Sequence, residues 1–207
     1  MVTKTNVFFQ IAAALAALAL ITTPAAADEA AEQFIQNVLD EATPILSESD
    51  ETKLYDGLAV LVDKHVDMRR VGLFTLGQYA RQLTAEQKEA YFPLFKKYAT
   101  LVYQSSLSNY TGQILAVTGS IDRSERDIIV TSEIVDAQPG DPFADFIIHW
   151  RVYRNRDGDM SVVDAGANDI WLAIEQRSQF TSVIANNGGG SQGIDALIVQ
   201  LREQVGD

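Results

Sequence analysis

The stretch DFIIHWRVYR, residues 145–154, decides how this chain folds. Phe146, Ile148, Trp150 and Val152 fall on one side of an extended strand, and Asp145, His149, Arg151 and Tyr153 fall on the other. That is a period of two with a single apolar face. Reading backwards, the same alternation runs through Ile128, Val130 and Ile134 and, more weakly, through Leu115 and Val117. Reading forwards, Asp157-Gly158 signals a hairpin into MSVVDA, residues 160–165. Four antiparallel strands are expected, with one oily side that helices must cover.

The flanking sequence supplies those helices. In Glu29 to Leu46, Phe34, Ile35, Val38, Leu39 and Ala42 recur at spacings of three and four, the mark of one buried helical side. Leu54 to Val66 continues the pattern, and a shorter helix is expected over Met68 to Tyr79. Thr84 followed by Gln87 reads as a capping box that starts a long amphipathic helix through Tyr110, bent at Pro93. Past the strands, DIWLAIEQRSQFTSVIANNGGG, residues 169–190, returns to helical spacing. It places Ile170, Ile174 and Arg177 along one side with Trp171 and Phe180 close by. Asn168 or Asp169 is the expected cap, and the glycines end the helix before a last one around Asp195 to Leu201. The class is α+β: helices, an antiparallel meander, then helices.

Residues 1–27 are read apart from the fold. Lys4, the apolar run Val7 to Ile21 and the small residues Pro24-Ala25-Ala26-Ala27 compose a secretory signal peptide. Without a cysteine behind the run, no lipoprotein anchor is expected. Residues 28–207 then form a single exported domain, in a bacterium a periplasmic one. Removing Lys4 takes the net charge from -12 to -13, which disfavours nucleic acid or bare anionic membrane as partners. The absence of cysteine leaves stability to the core. Two histidines, His65 and His149, argue against a multi-histidine metal site.

The sequence carries no plain catalytic constellation. Asp145 and His149 share a strand face but stand about 13 Å apart at ~3.3 Å per residue, too far for an acid–base pair. Asp136, Asp141 and Asp145 around Pro139 and Pro142 lack the glycine and terminal glutamate of a calcium loop and read as a polar turn. The basic doublets Lys96-Lys97 and Arg69-Arg70 read as solvated helix faces. Arg177 is different, because an arginine near an apolar side must pair. Two readings stand: it staples its helix to the sheet through Asp164 or Glu133, or it meets a lipid headgroup.

Taken in order, LGQYARQLTAEQKEAYFPLFKKYATLVYQSSLSNY (residues 76–110), the alternating strands, SVVDA, EQRSQFTSVI and GIDALIVQLRE resemble the MlaC/toluene-tolerance family of periplasmic phospholipid-binding proteins, over about Glu32 to Glu203. Leu76-Gly77, Arg81, Glu86-Gln87, Phe92, Phe95, Tyr103, Asp164 and Arg177-Ser178-Gln179-Phe180 stand at the family's spacing. The resemblance implies a nuclear-transport-factor-like curved sheet against helices, with an apolar pocket for acyl chains. It implies a non-enzymatic carrier, without a cofactor, whose cargo is lipid. Such carriers work between an outer-membrane lipoprotein and an inner-membrane ABC transporter with a ring-forming lipid-binding subunit, and maintain outer-membrane lipid asymmetry.

The implied pocket wall is Leu115, Val117, Val130, Phe146, Ile148, Trp150 and Val163 from the sheet, with Phe74, Leu101, Trp171, Ile174 and Phe180 from helices. Arg177 and Asp164 are expected to be structural. One departure stands out. Where the family commonly has Gly-Val-Ser-Leu and a tyrosine before the arginine, this chain has Asp169-Ile170-Trp171-Leu172 and Gln176. That variant looks more like the hopanoid-associated HpnM branch, with a polycyclic lipid as cargo. Two other classes remain open: an isomerase or dehydratase on the same fold, which needs an ionisable group in the pocket, and an adaptor with a filled interior.

Overall fold

The computed structural model describes residues 27–106, 113–135, 146–167 and 170–207. The expected leader up to Ala26, the Asp136/Asp141/Asp145 turn and the Asn168/Asp169 cap lie outside them. Helix α1 (Glu29–Leu46) is followed by α2 (Glu51–His65), α3 (Met68–Thr75), a 3-10 turn (Gly77–Gln82) and α4 (Ala85–Ser106). Then come β1 (Leu115–Ser124), β2 (Asp127–Ile134), β3 (Ile147–Arg154), β4 (Met160–Ala167) and β5 (Ile170–Trp171), and finally α5 (Leu172–Asn186) and α6 (Gly190–Val205). Among the described residues, no helix is long and apolar enough to cross a membrane.

The strands form an antiparallel meander in the order β1-β2-β3-β4-β5. The sheet thus has five strands, not the four expected. Ile170–Trp171, read from sequence as the start of a helix, instead pairs with Ala167 and Gly166. The reason is local: Trp171 lays its ring over Gly166, where an added Cβ would stand 3.0 Å from the indole, and it stacks on His149 at 6.1 Å. Register shifts at Val117/Gly119, Asp122/Ser124 and Arg151/Val152 bend the sheet.

Two apolar clusters hold the molecule. One lies between α1 and the sheet, where Ala31, Ile35 and Leu39 meet Ile128, Val130, Val152 and Val162. The other joins α3 to α6 around Tyr91, Phe95, Phe180, Ile184, Leu197 and Leu201. This helical group sits along the outer edge of β4: Asp67 N donates to Val162 O, and Val66 bridges Val162 in parallel. The capping box forms as expected, Thr84 N donating to Gln87 Oε1 and Gln87 N to Thr84 Oγ, each at 3.2 Å. Gln87 also donates to Asp195 Oδ1 at 2.7 Å, tying α4 to α6. Gly188, Gly189 and Gly190 all take positive φ, which lets the chain reverse between α5 and α6.

Candidate functional site

Cross-strand register defines the two sheet faces. Val130 pairs with Trp150 and Trp150 with Ala165; Ser132 pairs with Ile148 and Ile148 with Ala167. These residues, with Leu115 and Val117, share the side that α1 covers. The opposite side carries Thr131, His149, Arg151, Asp164, Gly166 and Trp171.

Along the α1 side, burial falls off in one direction. Toward the β3–β4 hairpin, Ile128, Val130 and Val152 are wholly buried. Toward the other end, Ile134, Ile148, Trp150, Ala165 and Ala167 are only half-buried. The anchors of α1 explain the difference. Asp28, its N-cap, accepts from Ala31 N and takes two bonds from Arg154 Nη2 at 2.7 and 2.5 Å. Ser120 Oγ accepts from Asp28 N and donates to Glu32 Oε1. Gln36 Oε1 accepts from Val117 N. The helix is therefore fastened at the hairpin end and then along β1, while the β3–β4 half of the face stays less covered. At the same end, exposed aliphatics crown the strand termini: Ile114 before β1, Val135 after β2, Ile147 in β3 and Ile170 in β5. Of these, Ile170, paired with Ala167, lies on the side of this apolar floor, whereas Ile147 alternates with Ile148 and lies on the opposite side.

The implied wall does not assemble as one surface. Leu115, Val117, Val130 and Trp150 gather under α1, and Ile148 shares their face. Phe146 is half-buried at the start of β3. Phe180 belongs to the helical core, edge-on to Phe95 at 6.2 Å, and Phe74 and Val163 pack on that same cluster. Leu101 and Ile174 are 47% and 49% exposed on α4 and α5. Trp171 stands on the opposite face from Trp150, so it does not narrow the floor.

Asp164 and Arg177 part from expectation. Asp164 is buried, and its Oδ1 accepts from Ala173 N and Ala165 N, both at 2.9 Å. A strand carboxylate thus caps α5, whose own N-cap, Trp171, offers no side-chain bond. Burial pushes the Asp164 carboxyl up from its ordinary value, against the opposing pull of the two amides and of Arg151. Arg177 is exposed, and the contact it makes is with the α3 side of the helical group. Its guanidinium sits 5.0 Å over the Phe74 ring, and Gly77 at φ 55° leaves room for it, since a Cβ there would lie 3.1 Å from Arg177 Nε. It braces α5 against α3 and the 3-10 turn; neither the Asp164 nor the Glu133 staple forms.

His149 Nδ1 lies 3.1 Å from Thr131 Oγ1 beneath Trp171, on the face away from the floor. Among the described residues, no group of three or more metal-ligating side chains comes together. Two hollows lined by described residues lie off the floor. One, of about 210 Å3, is walled by Lys64, His65, Asp67, Arg70, Tyr153 and Asp159 near the β3–β4 hairpin. The other is a water-sized slit of about 10 Å3 between α3, α4 and α5, walled by Phe95, Tyr98, Tyr103, Ala173 and Gln176 among others. Tyr103 is half-buried beside it, its phenol pushed up to about 12 by desolvation and by the Asp164 charge.

The fold has a solved counterpart. The solved structure of a phospholipid-binding protein from Ralstonia solanacearum, in complex with a phospholipid, superposes with a TM-score of 0.68 at 23% identity, over 86% of this chain and 99% of that one. The intermembrane phospholipid transport system binding protein MlaC of Haemophilus influenzae is 22% identical over 142 residues, 68% of this chain. The match spans 63% of that relative's length. The sequence pattern of the MlaC protein family matches residues 29–203, nearly all of the described fold, and this chain belongs to the MlaC family.

Proposed function

We propose that the protein is a periplasmic phospholipid carrier, the soluble component of an ABC-type lipid transport system, shuttling single lipids between outer and inner membranes. The observation that carries this reading is the graded apolar face. One half is sealed by α1, and the other presents Ile148, Trp150, Ala165 and Ala167 half-buried, with exposed Ile170 at its edge. Membership of the MlaC family and the phospholipid in the Ralstonia relative support the choice of cargo.

The physical chemistry suits such a carrier. Each methylene moved from water into protein gains ~0.8 kcal/mol, so acyl chains are held without a charged contact and the headgroup stays in water. Lipid is the cargo; no cofactor or catalysed step is needed. Binding that strong is slow to reverse, so release requires a partner that favours an opened state. The net charge of -12 opposes direct docking to anionic bilayers. Transfer through an outer-membrane lipoprotein and an inner-membrane transporter with a ring-forming subunit fits that charge.

Mass spectrometry of lipid extracted from the protein, purified from the periplasm of a producing bacterium, tests the reading. The native chain should carry phospholipid. Ile148→Glu should lose it while melting as a folded protein, because this half-buried position admits a solvated carboxylate. Val130→Glu, at a fully buried position, should instead unfold the domain, an unpaired buried charge costing several kcal/mol. A folded native protein that emerges lipid-free would sink the proposal.

A further inference from the structure

We propose that Trp150, pinned by Ser132, sets the depth of the apolar floor and thereby selects the acyl-chain length of the bound phospholipid. This inference rests on the carrier reading and deepens it.

Trp150 stands on the boundary between the two halves of the face. Its register neighbour Val130 and the next same-face residue of its own strand, Val152, are wholly buried under α1. Its neighbour on the other strand, Ala165, is half-buried. Beyond it toward the start of β3 the neighbouring side chains on this face are small or aliphatic: Ser132, Ile148 and Ala167. A large ring therefore stands where the wholly buried stretch of the face gives way to a half-buried one.

The ring is also fixed in place. Trp150 Nε1 donates to Ser132 Oγ at 2.9 Å, and Ser132 is itself wholly buried. That bond satisfies the indole's single polar group. What the ring then shows to the floor is carbon, and it cannot swing aside without breaking that bond and leaving the wholly buried Ser132 hydroxyl unpaired. A serine wholly buried in the middle of an apolar face is otherwise costly; its use is to hold the indole. Without the ring, the floor would extend by one same-face step along β3, from Trp150 to Val152, about 6.6 Å at ~3.3 Å per residue.

The test reads the acyl composition of phospholipid carried by native, Trp150→Ala, Trp150→Phe and Ser132→Ala proteins purified from one host. Binding of phosphatidylcholines of graded chain length to the delipidated proteins provides a second reading. Trp150→Ala should shift the preference to longer chains, with affinity rising about fourfold per added methylene admitted. Trp150→Phe should shift it less and in the same direction. Ser132→Ala, which frees the ring, should broaden the distribution. If both Trp150 variants carry phospholipid with the native chain-length profile, the inference is overturned while the carrier reading stands. If the native protein carries none, the carrier reading has failed first. Should Trp150→Ala not fold, the Trp150→Phe profile decides alone.

Discussion

Asp164 does two jobs with one carboxylate, and its energetics follow from burial. Oδ1 accepts from two amides, whereas Oδ2 is buried with no partner among the described residues. Because burial raises its pKa from 3.8, the folded state holds this proton more tightly than the unfolded chain does. Its contribution therefore favours folding at low pH and is lost as pH rises through the raised value. Asp164→Asn keeps an acceptor for Ala173 N and removes the charge. In urea denaturation it should gain on the native protein between pH 4 and pH 7, the gap closing at lower pH; an unchanged gap would contradict the assignment. Asp164→Leu, which removes the cap, should cost about 1 kcal/mol. The family spacing marked Asp164 in the sequence, but its partner, Ala173 N, is a backbone group that no pattern of side chains reveals.

Among the elements, the α5–α6 reversal is the most sharply constrained. A Cβ on Gly193 would collide with the Ile184 carbonyl oxygen of α5, and backbone cannot step aside as a side chain does. Gly193→Ala should lower stability by about 1–3 kcal/mol in thermal melting, and the surviving folded fraction should still load lipid, since this crossing is remote from the floor. Helix α1 was legible to its ends, Glu29–Leu46, because its apolar residues recur at helical spacing; its cap, Asp28, came only from the structure. The capping box at Thr84 and the Asp157-Gly158 hairpin were equally plain, each depending on residues within a few positions. Strand β5 was not legible: two residues carry no period, and Ile170–Trp171 is held extended by pairing with β4, with the indole over Gly166 and against His149.

For the whole molecule, cargo should count as part of the stability. A lipid that binds only the folded state raises it by about 2.7 kcal/mol at a hundredfold excess over Kd. Delipidated protein should therefore melt below the loaded form, and added phospholipid should restore the higher melting temperature. Ile148→Glu should melt alike with and without lipid. Identical melting of native loaded and delipidated protein would speak against cargo held in the apolar floor. The expected wall residues divide between two cores at this scale, with Phe180 and Phe74 among helices and Val130 and Trp150 under α1. Apolar period says which side of an element is buried, not which neighbour buries it.

The order of the helices and the first four strands, the single oily face of the meander, the capping box at Thr84 and the family likeness were determined by sequence, because each depends on spacing along the chain. Only the tertiary structure decided that α1 seals half of that face, that Arg177 braces α3 instead of the sheet, that Trp171 looks away from the floor, and that Ser132 holds Trp150. Those outcomes depend on contacts between residues far apart in the chain, Asp28 with Arg154 and Gln36 with Val117 among them. The depth of an apolar floor is set by which helix lies across it and where that helix is fastened.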